Sequence, residues 1–377
     1  MAATSIYNID YPANTDLVTN GAAQMQTLAG DVETALNAQV LNLWGRNQIH
    51  NPSMKLNYRN GQSSFIADRW LTTKSAGATV AWTRTALGVT ANLPEYVGAE
   101  INGNVTVAGA AADYVTVGQN IESVRTFAGK TVKLSFYARA ASGTPKLGAS
   151  FDQNFGTGGS PSATVTGTGQ SVTLSTTYTR YSLTFTVPSI SGKTLGTGGD
   201  DFLLLNFWLD AGSTLATRSG SVGNQTTQIY ITGVQAEADY LTPLEWRPES
   251  IEEQLCSRYF WCTYQQGVYL SAGGAGVAGA VGVTAFSGSS DGSGYFNIYV
   301  QYPTAMFKAP TVTYFTGTAG TLGSFDMLRS GSTSTAAMQA LGAGNGRKSI
   351  AARTTATIGA VWVVATMSGH IVADTSW

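Results

Sequence analysis

The chain has 377 residues, enough for two or three domains, and only 11% of them are charged, against roughly a quarter in an average soluble protein. Its 21 Lys and Arg offset 22 Asp and Glu, for a net charge of -1. With no basic excess to hold a phosphate backbone, nucleic acid is excluded as a partner.

The first residues, Met1 to Tyr7, have neither a basic n-region nor an apolar h-region, which argues against a secretion signal. Residues 1 to about 15 are polar and read as an extended arm. Val18, Met25 and Val32 then recur at intervals of seven, as do Gly21, Leu28 and Ala35. This spacing predicts an oligomerisation helix with Val18, Met25, Leu28, Val32 and Ala35 on its seam. A lone helix this short is marginal in water, so association with copies of itself is expected.

From Trp44 the hydrophobic period changes to two. Val132, Leu134, Phe136 and Ala138 alternate with polar neighbours, as do Tyr181, Leu183, Phe185 and Val187, and Ile229 with Ile231. Further strands are predicted over Phe65–Thr72, Thr79–Thr85, Ala111–Val117, Lys146–Phe155, Gln170–Ser175 and Phe202–Asp210. Glycine-rich turns such as Gly156–Pro161 and Gly196–Gly199 separate several of them. Many short strands without helical stretches predict an antiparallel sandwich of jelly-roll type. The longest strongly apolar run, Phe202 to Leu209, is far short of the ~20 residues a membrane helix needs. No membrane insertion is expected.

A short helix is predicted to follow, linking the sandwich to a last β-rich unit. Ser250 and Glu253 fit a capping box, and Ile251, Leu255 and Tyr259 share one face. Trp246, Ile251, Leu255 and Tyr259 are expected to pack against the sandwich or between chains. Cys256 and Cys262 are the two cysteines. Six residues apart on one helix, they would sit about 120° around its axis, which disfavours a disulfide. Thr263 to Trp377 again reads as strands, at Tyr295–Gln301, Thr311–Phe315, Ser349–Thr357 and Ala360–Met367. Gly273 to Gly282 holds only Gly, Ala and Val.

A recognition-type β protein without an export signal or disulfides suggests a component assembled in the cytosol and released by lysis, such as part of a virion. Specific stretches support this. Ala67-Asp68-Arg69-Trp70, Gln119-Asn120-Ile121-Glu122, Leu134 to Ala140, Gln153 to Ser162, Thr179 to Ser182, Val234-Gln235-Ala236-Glu237, Glu245-Trp246-Arg247-Pro248 and Cys256 to Phe260 occur in this order. Together they resemble bacteriophage tail-fibre and receptor-binding proteins that carry a carbohydrate-binding-module-like jelly roll. Gly369 to Asp374 resembles the end of such fibres less specifically. The resemblance implies a homotrimer on the virion tail that adheres to host cell-surface polysaccharide. By position, the N-terminus is expected to attach to a virion tail or baseplate protein.

The expected organisation is an attachment arm and coiled-coil-like helix over 1–43, the jelly roll over 44–248, a linking helix over 249–262 and a β-rich tip over 263–377. Sugar binding needs aromatic faces beside hydrogen-bonding groups. Trp82, Tyr96, Tyr114, Asp152, Gln153, Asn154 and Trp208 are the candidates, with half or more of the large aromatics expected in the core. Gln153 and Asn154 are read first as satisfying buried backbone groups. Loops of the tip, Gly288 to Gly294 and Ser330 to Arg347, are further candidates for receptor contact.

No catalytic role is expected. His50 and His370 are the two histidines, one near each end, so a multi-histidine zinc site is not available in one chain. Asp152, Asp200, Asp201, Asp210, Glu95 and Glu100 show no spacing that singles out a glycosidase pair. Asp200 and Asp201 read as turn carboxylates before calcium ligands. Gly274 to Gly279 matches a dinucleotide fingerprint but lacks its βαβ setting. No cofactor and no metal are called for. Two alternatives stand beside adhesion: a structural tail or neck component that binds other virion proteins, and a glycan-degrading spike.

Overall fold

The computed structural model describes residues 2–3, 10–11, 21–40, 45–59, 64–264, 266, 284–288, 297–316, 322–329, 332–354 and 365–375. Two short strands, β1 (Ala2–Ala3) and β2 (Asp10–Tyr11), pair antiparallel. Helix α1 (Gly21–Val40) carries no acid in its first turn and no base in its last, so nothing charged supports its dipole. On its expected seam, Met25 is 73% and Val32 38% exposed, while Leu28 is half-buried. Ala35 lies on the helix, and Val18 falls outside the described residues.

The centre of the molecule is a two-sheet antiparallel sandwich. In chain order its strands are β3 (Phe65–Ala67), β4 (Trp70–Lys74), β5 (Thr79–Ala86), β6 (Ala99–Val107) and β7 (Tyr114–Glu122). β8 (Thr131–Ala140), β9 (Lys146–Asn154), β10 (Gln170–Thr173), β11 (Thr179–Thr186), β12 (Phe202–Ala211) and β13 (Gln228–Ala238) follow. A six-stranded sheet, in the order β10-β9-β12-β7-β4-β3, faces a five-stranded sheet, β11-β8-β13-β6-β5. The chain crosses repeatedly between the sheets, as a jelly roll does.

Alternation places the core. Val132, Leu134, Phe136 and Ala138 of β8 point inward against Leu203, Leu205, Phe207 and Leu209 of β12, all buried. Phe136 and Phe207 meet edge to face across the sheets, with centroids 5.0 Å apart. The expected strand Phe65–Thr72 is instead two, because Arg69 takes φ 74 and turns the chain between β3 and β4. Asp68 at that turn is buried and accepts the Tyr58 and Arg59 N–H groups.

After the sandwich come α3 (Glu249–Ser257) and strands β14 (Phe260–Cys262), β15 (Thr284–Gly288), β16 (Asn297–Gln301), β17 (Thr311–Thr316), β18 (Ser324–Arg329), β19 (Ser332–Asn345), β20 (Ser349–Thr354) and β21 (Ala365–Asp374). β21 is the spine of this C-terminal sheet, pairing with β14, β15, β17 and β18. Phe325, Met306, Ile350 and Ile371 are among the residues of its own core. The mainly β architecture expected from the sequence is thus observed. No helix among the described residues is long and apolar enough to cross a membrane.

Several expectations are corrected. The linking helix stops at Ser257, and Cys262 lies on β14 rather than on the helix; both cysteines are free. The capping box does not form. Pro248 is the N-cap without a side-chain cap bond, and Glu253 instead accepts the Tyr58 hydroxyl at 2.9 Å. The buried helix positions are Glu252 and Cys256, whereas Ile251 and Leu255 are half-buried. Glu252 is drawn inward by the Asn51 N–H and the Arg247 guanidinium. Trp246 is 53% exposed and does not pack against the sandwich of its own chain. The expected tip loop Ser330 to Arg347 is mostly strand β19, held by β18 and β20. Gly273 to Gly282, and Gly288 to Gly294 beyond its first residue, lie outside the described residues.

Candidate functional site

With Leu203, Leu205, Phe207 and Leu209 inward, Leu204, Asn206 and Trp208 occupy the outer face of the six-stranded sheet. Register extends this face into rows. Asn120, Leu204 and Asp152 lie side by side, and so do Leu71, Gly118, Asn206 and Ser150. The next row is Thr73, Thr116, Trp208, Gly148 and Ser171.

One side of the face is walled. A 3-10 turn (Ser213–Leu215) and the short helix α2 (Ala216–Ser219) cross it over Gly148. A Cβ at Gly148 would lie 2.1 Å from the Ser219 carbonyl oxygen, so only glycine admits this approach. Beside the wall is a hollow of about 180 Å³, lined by Thr73, Tyr114, Thr116, Leu204, Asn206, Trp208, Leu215 and Arg218.

The hydrogen bonds here are directed and fixed. Arg218 of α2 donates to Asp152 Oδ2, while Asp152 Oδ1 accepts the Gly167 N–H at 2.9 Å. Trp208 donates its indole N–H to Ser150 Oγ at 2.9 Å, and the Arg218 guanidinium sits 5.3 Å from its ring centroid. Tyr114 meets Trp208 edge-on at 6.0 Å. The Thr73 and Thr116 hydroxyls are 2.6 Å apart. Trp208 itself is buried in a small cluster with Ala211, Val222, Tyr114 and Leu215. Its ring braces the hollow; Tyr114, Leu204, Leu215 and Arg218 are half-buried around it, and Thr73 is exposed.

Three of the sequence candidates, Tyr114, Asp152 and Trp208, therefore come together. Asn154 lies farther along the same face, paired with Phe202, and accepts the Gly156 N–H through Oδ1. Gln153 is buried and donates to the Pro188 carbonyl at 2.8 Å. Trp82 packs against the sandwich core beside Gly103. Tyr96 lies elsewhere, its hydroxyl donating to the Leu244 carbonyl. Asn206, Leu204, Leu71 and Arg218 were not singled out in the sequence. Asn206 stands out as the polar break in the apolar run of β12, whereas nothing local marks Leu204, Leu71 or Arg218.

The two carboxylates weighed in the sequence as calcium ligands are engaged by neighbouring groups. Asp200 accepts the Thr157 N–H and hydroxyl, and Asp201 accepts the Ser123 hydroxyl and Val124 N–H. His50 is buried beside Tyr259, and burial first, then Arg69, Arg247 and Arg258, push its pKa down so that it stays neutral. Among the described residues no three His, Cys, Asp or Glu side chains gather to hold a metal ion.

No protein-family model matches the chain, and no curated protein matches it. Solved structures resemble part of it. The enzymatically active domain of bacteriophage CBA120 tailspike protein 4 is 17% identical over 51% of this chain and 21% of that one, with a TM-score of 0.32. A structure described as CBM4 is 18% identical over 51% of this chain and 99% of its own, with a TM-score of 0.33. A sugar-binding protein assigned in Bacteroides thetaiotaomicron is 13% identical over 51% and 100%, with a TM-score of 0.32. These are partial likenesses of fold, and the architecture itself rests on the strand pairing.

Proposed function

We propose that the chain is a non-enzymatic, homotrimeric adhesin of the virion tail that binds host cell-surface polysaccharide. The observation that carries this reading is the walled hollow on the outer sheet face. There Tyr114 and Leu204 supply apolar surface beside Asn206, Arg218, Thr73 and Thr116, the mixture that a sugar ring with two faces and several hydroxyls requires. The groups are held on strands and locked by second contacts, so little order is lost on binding. In Asp152 the carboxylate is engaged by Arg218 and the Gly167 N–H, which suits a bracing role better than that of a general acid.

Association through α1 presents three copies of the face, and linked weak sites give avidity. The motif resemblance supports the tail-fibre assignment, with the N-terminal arm joined to a tail or baseplate protein. Purified chain applied to susceptible bacteria and to their extracted surface polysaccharide tests the reading. Retention by both, lost when the polysaccharide is oxidised with periodate, is expected. Retention by neither, or release of oligosaccharide from the polymer, contradicts it.

A further inference from the structure

The sheet-face hollow offers a ligand hydrogen-bond donors and no open carboxylate. Among the described residues that line it, Arg218 is the one that carries a charge. Its Nη2 donates to Asp152. Nη1 bonds to no described residue and, unlike the unpartnered Nε, is not buried. A guanidinium has five N–H donors in a planar fork, so those on Nη1 remain for a second acceptor.

Asp152 does not serve a ligand. Its side chain is 4% exposed and already takes the Arg218 guanidinium, the Gly167 N–H at 2.9 Å and the Asn206 amide at 3.4 Å. It weakens the positive field of Arg218 without adding an open acceptor. Thr73 and Thr116 supply another donor. Their hydroxyls are 2.6 Å apart, so one donates to the other and the receiving hydroxyl keeps its own proton for a ligand. A neutral pyranose donates as readily as it accepts, and here it would meet chiefly donors. A carboxylate only accepts, and its bond to a guanidinium is charge-assisted.

We propose that this hollow takes an acidic sugar, a hexuronic acid residue, with its carboxylate on Arg218 Nη1. A hydroxyl of the Thr73–Thr116 pair donates to the same residue, and the pyranose face lies against Tyr114 and Leu204. This specificity rests on the sheet-face site of the adhesin and narrows its ligand. Because Asp152 offsets part of the charge on Arg218, the preference over the matching neutral sugar is about tenfold rather than larger.

Saturation-transfer NMR titrations on the full chain test this, pairing methyl glucuronide with methyl glucoside and methyl galacturonide with methyl galactoside. Wild type, Arg218→Gln and Leu204→Trp are compared, the last filling the hollow without adding charge, and thermal melts confirm folding. In wild type one uronide should bind about tenfold more tightly than its neutral partner. Raising NaCl from about 50 to about 500 mM should shrink that advantage severalfold. Arg218→Gln should bind the two alike, and Leu204→Trp should bind neither. A neutral glycoside that binds wild type as well as its uronide, and is lost in Leu204→Trp, overturns the acidic class and leaves the sheet-face site standing. An advantage that survives in a folded Arg218→Gln, or that ignores salt in wild type, overturns the acidic class equally. Binding that persists in Leu204→Trp, or no binding by wild type, overturns both.

Discussion

Arg59 is 2% exposed, yet it makes two hydrogen bonds to Asp374, at 2.7 and 2.8 Å. Its guanidinium also stacks between Phe65 and Phe260, 4.1 and 4.2 Å from their centroids. One side chain thus joins the sandwich, α3's exit strand and the last strand of the chain. Arg59→Ala would leave Asp374 without its guanidinium. It should destabilise by about 2–4 kcal/mol, toward the lower end for a broken buried pair because Asp374 keeps some solvent; the midpoint of urea unfolding measures this. Nothing in the sequence announces the pair, whose members stand 315 residues apart. A second residue-scale effect concerns Asp210. Burial pushes its pKa up to about 6, and the nearby Asp113 adds to this, against the opposing hydrogen bond from the Gln225 N–H. The folded state therefore holds this proton to higher pH than the unfolded chain does. Between about pH 4 and 6 the folded form binds more protons, so this group's contribution to stability falls as pH rises. Thermal melts across that range should show the decline in wild type and a shallower slope in Asp210→Asn.

At the scale of elements, strands with clean alternation were legible. β8 and β11 appear where the sequence places them, because one face of each meets the core. β6 was missed, since Asn102-Gly103-Asn104 reads as a turn. The glycine is there for packing: a Cβ on Gly103 would come within 2.5 Å of Leu209 Cδ2 and 2.6 Å of Trp82 Cζ3. The linking helix was read past its end at Ser257, by more than one turn, because Tyr259 matches the helical spacing. Tyr259 instead serves the domain junction, donating to Glu122 at 2.7 Å beside Arg258. Burial alone would raise the Glu122 pKa, but these hydrogen bonds and charges leave it below the usual range. Gly148 gives the sharpest prediction at this scale, because its missing side chain lets α2 cross the sheet and position Arg218. Gly148→Val should lower stability by about 1–3 kcal/mol through overpacking. It should also weaken polysaccharide binding, because the wall of the hollow is displaced; urea unfolding and a binding titration on the same variant check both effects.

At the scale of the whole molecule, composition and strand period gave the β architecture, and the motif order gave a family likeness. The site was legible in part. Tyr114, Asp152 and Trp208 share one face because strands of one sheet bring alternate residues together, but aromatic content alone cannot separate a bracing Trp208 from an open Trp246. Assembly is the remaining element of the account. The exposed Met25 and Val32 on α1 call for partners of their own kind. Light scattering on the purified chain should give three times the 39.4 kDa chain mass, and removal of residues 1–43 should give the monomer. A stable full-length monomer would remove the trimer.

The central claim is that the outer face of the six-stranded sheet binds host polysaccharide. Its most direct test is calorimetric titration of the full chain with purified surface polysaccharide, comparing wild type with Leu204→Arg. Leu204 is half-buried on the outer face and outside the core, so arginine fills the hollow without disturbing the sandwich interior. The account predicts measurable binding by wild type and a loss of about tenfold or more in the variant. Equal affinity in a Leu204→Arg protein that melts as wild type does would contradict it.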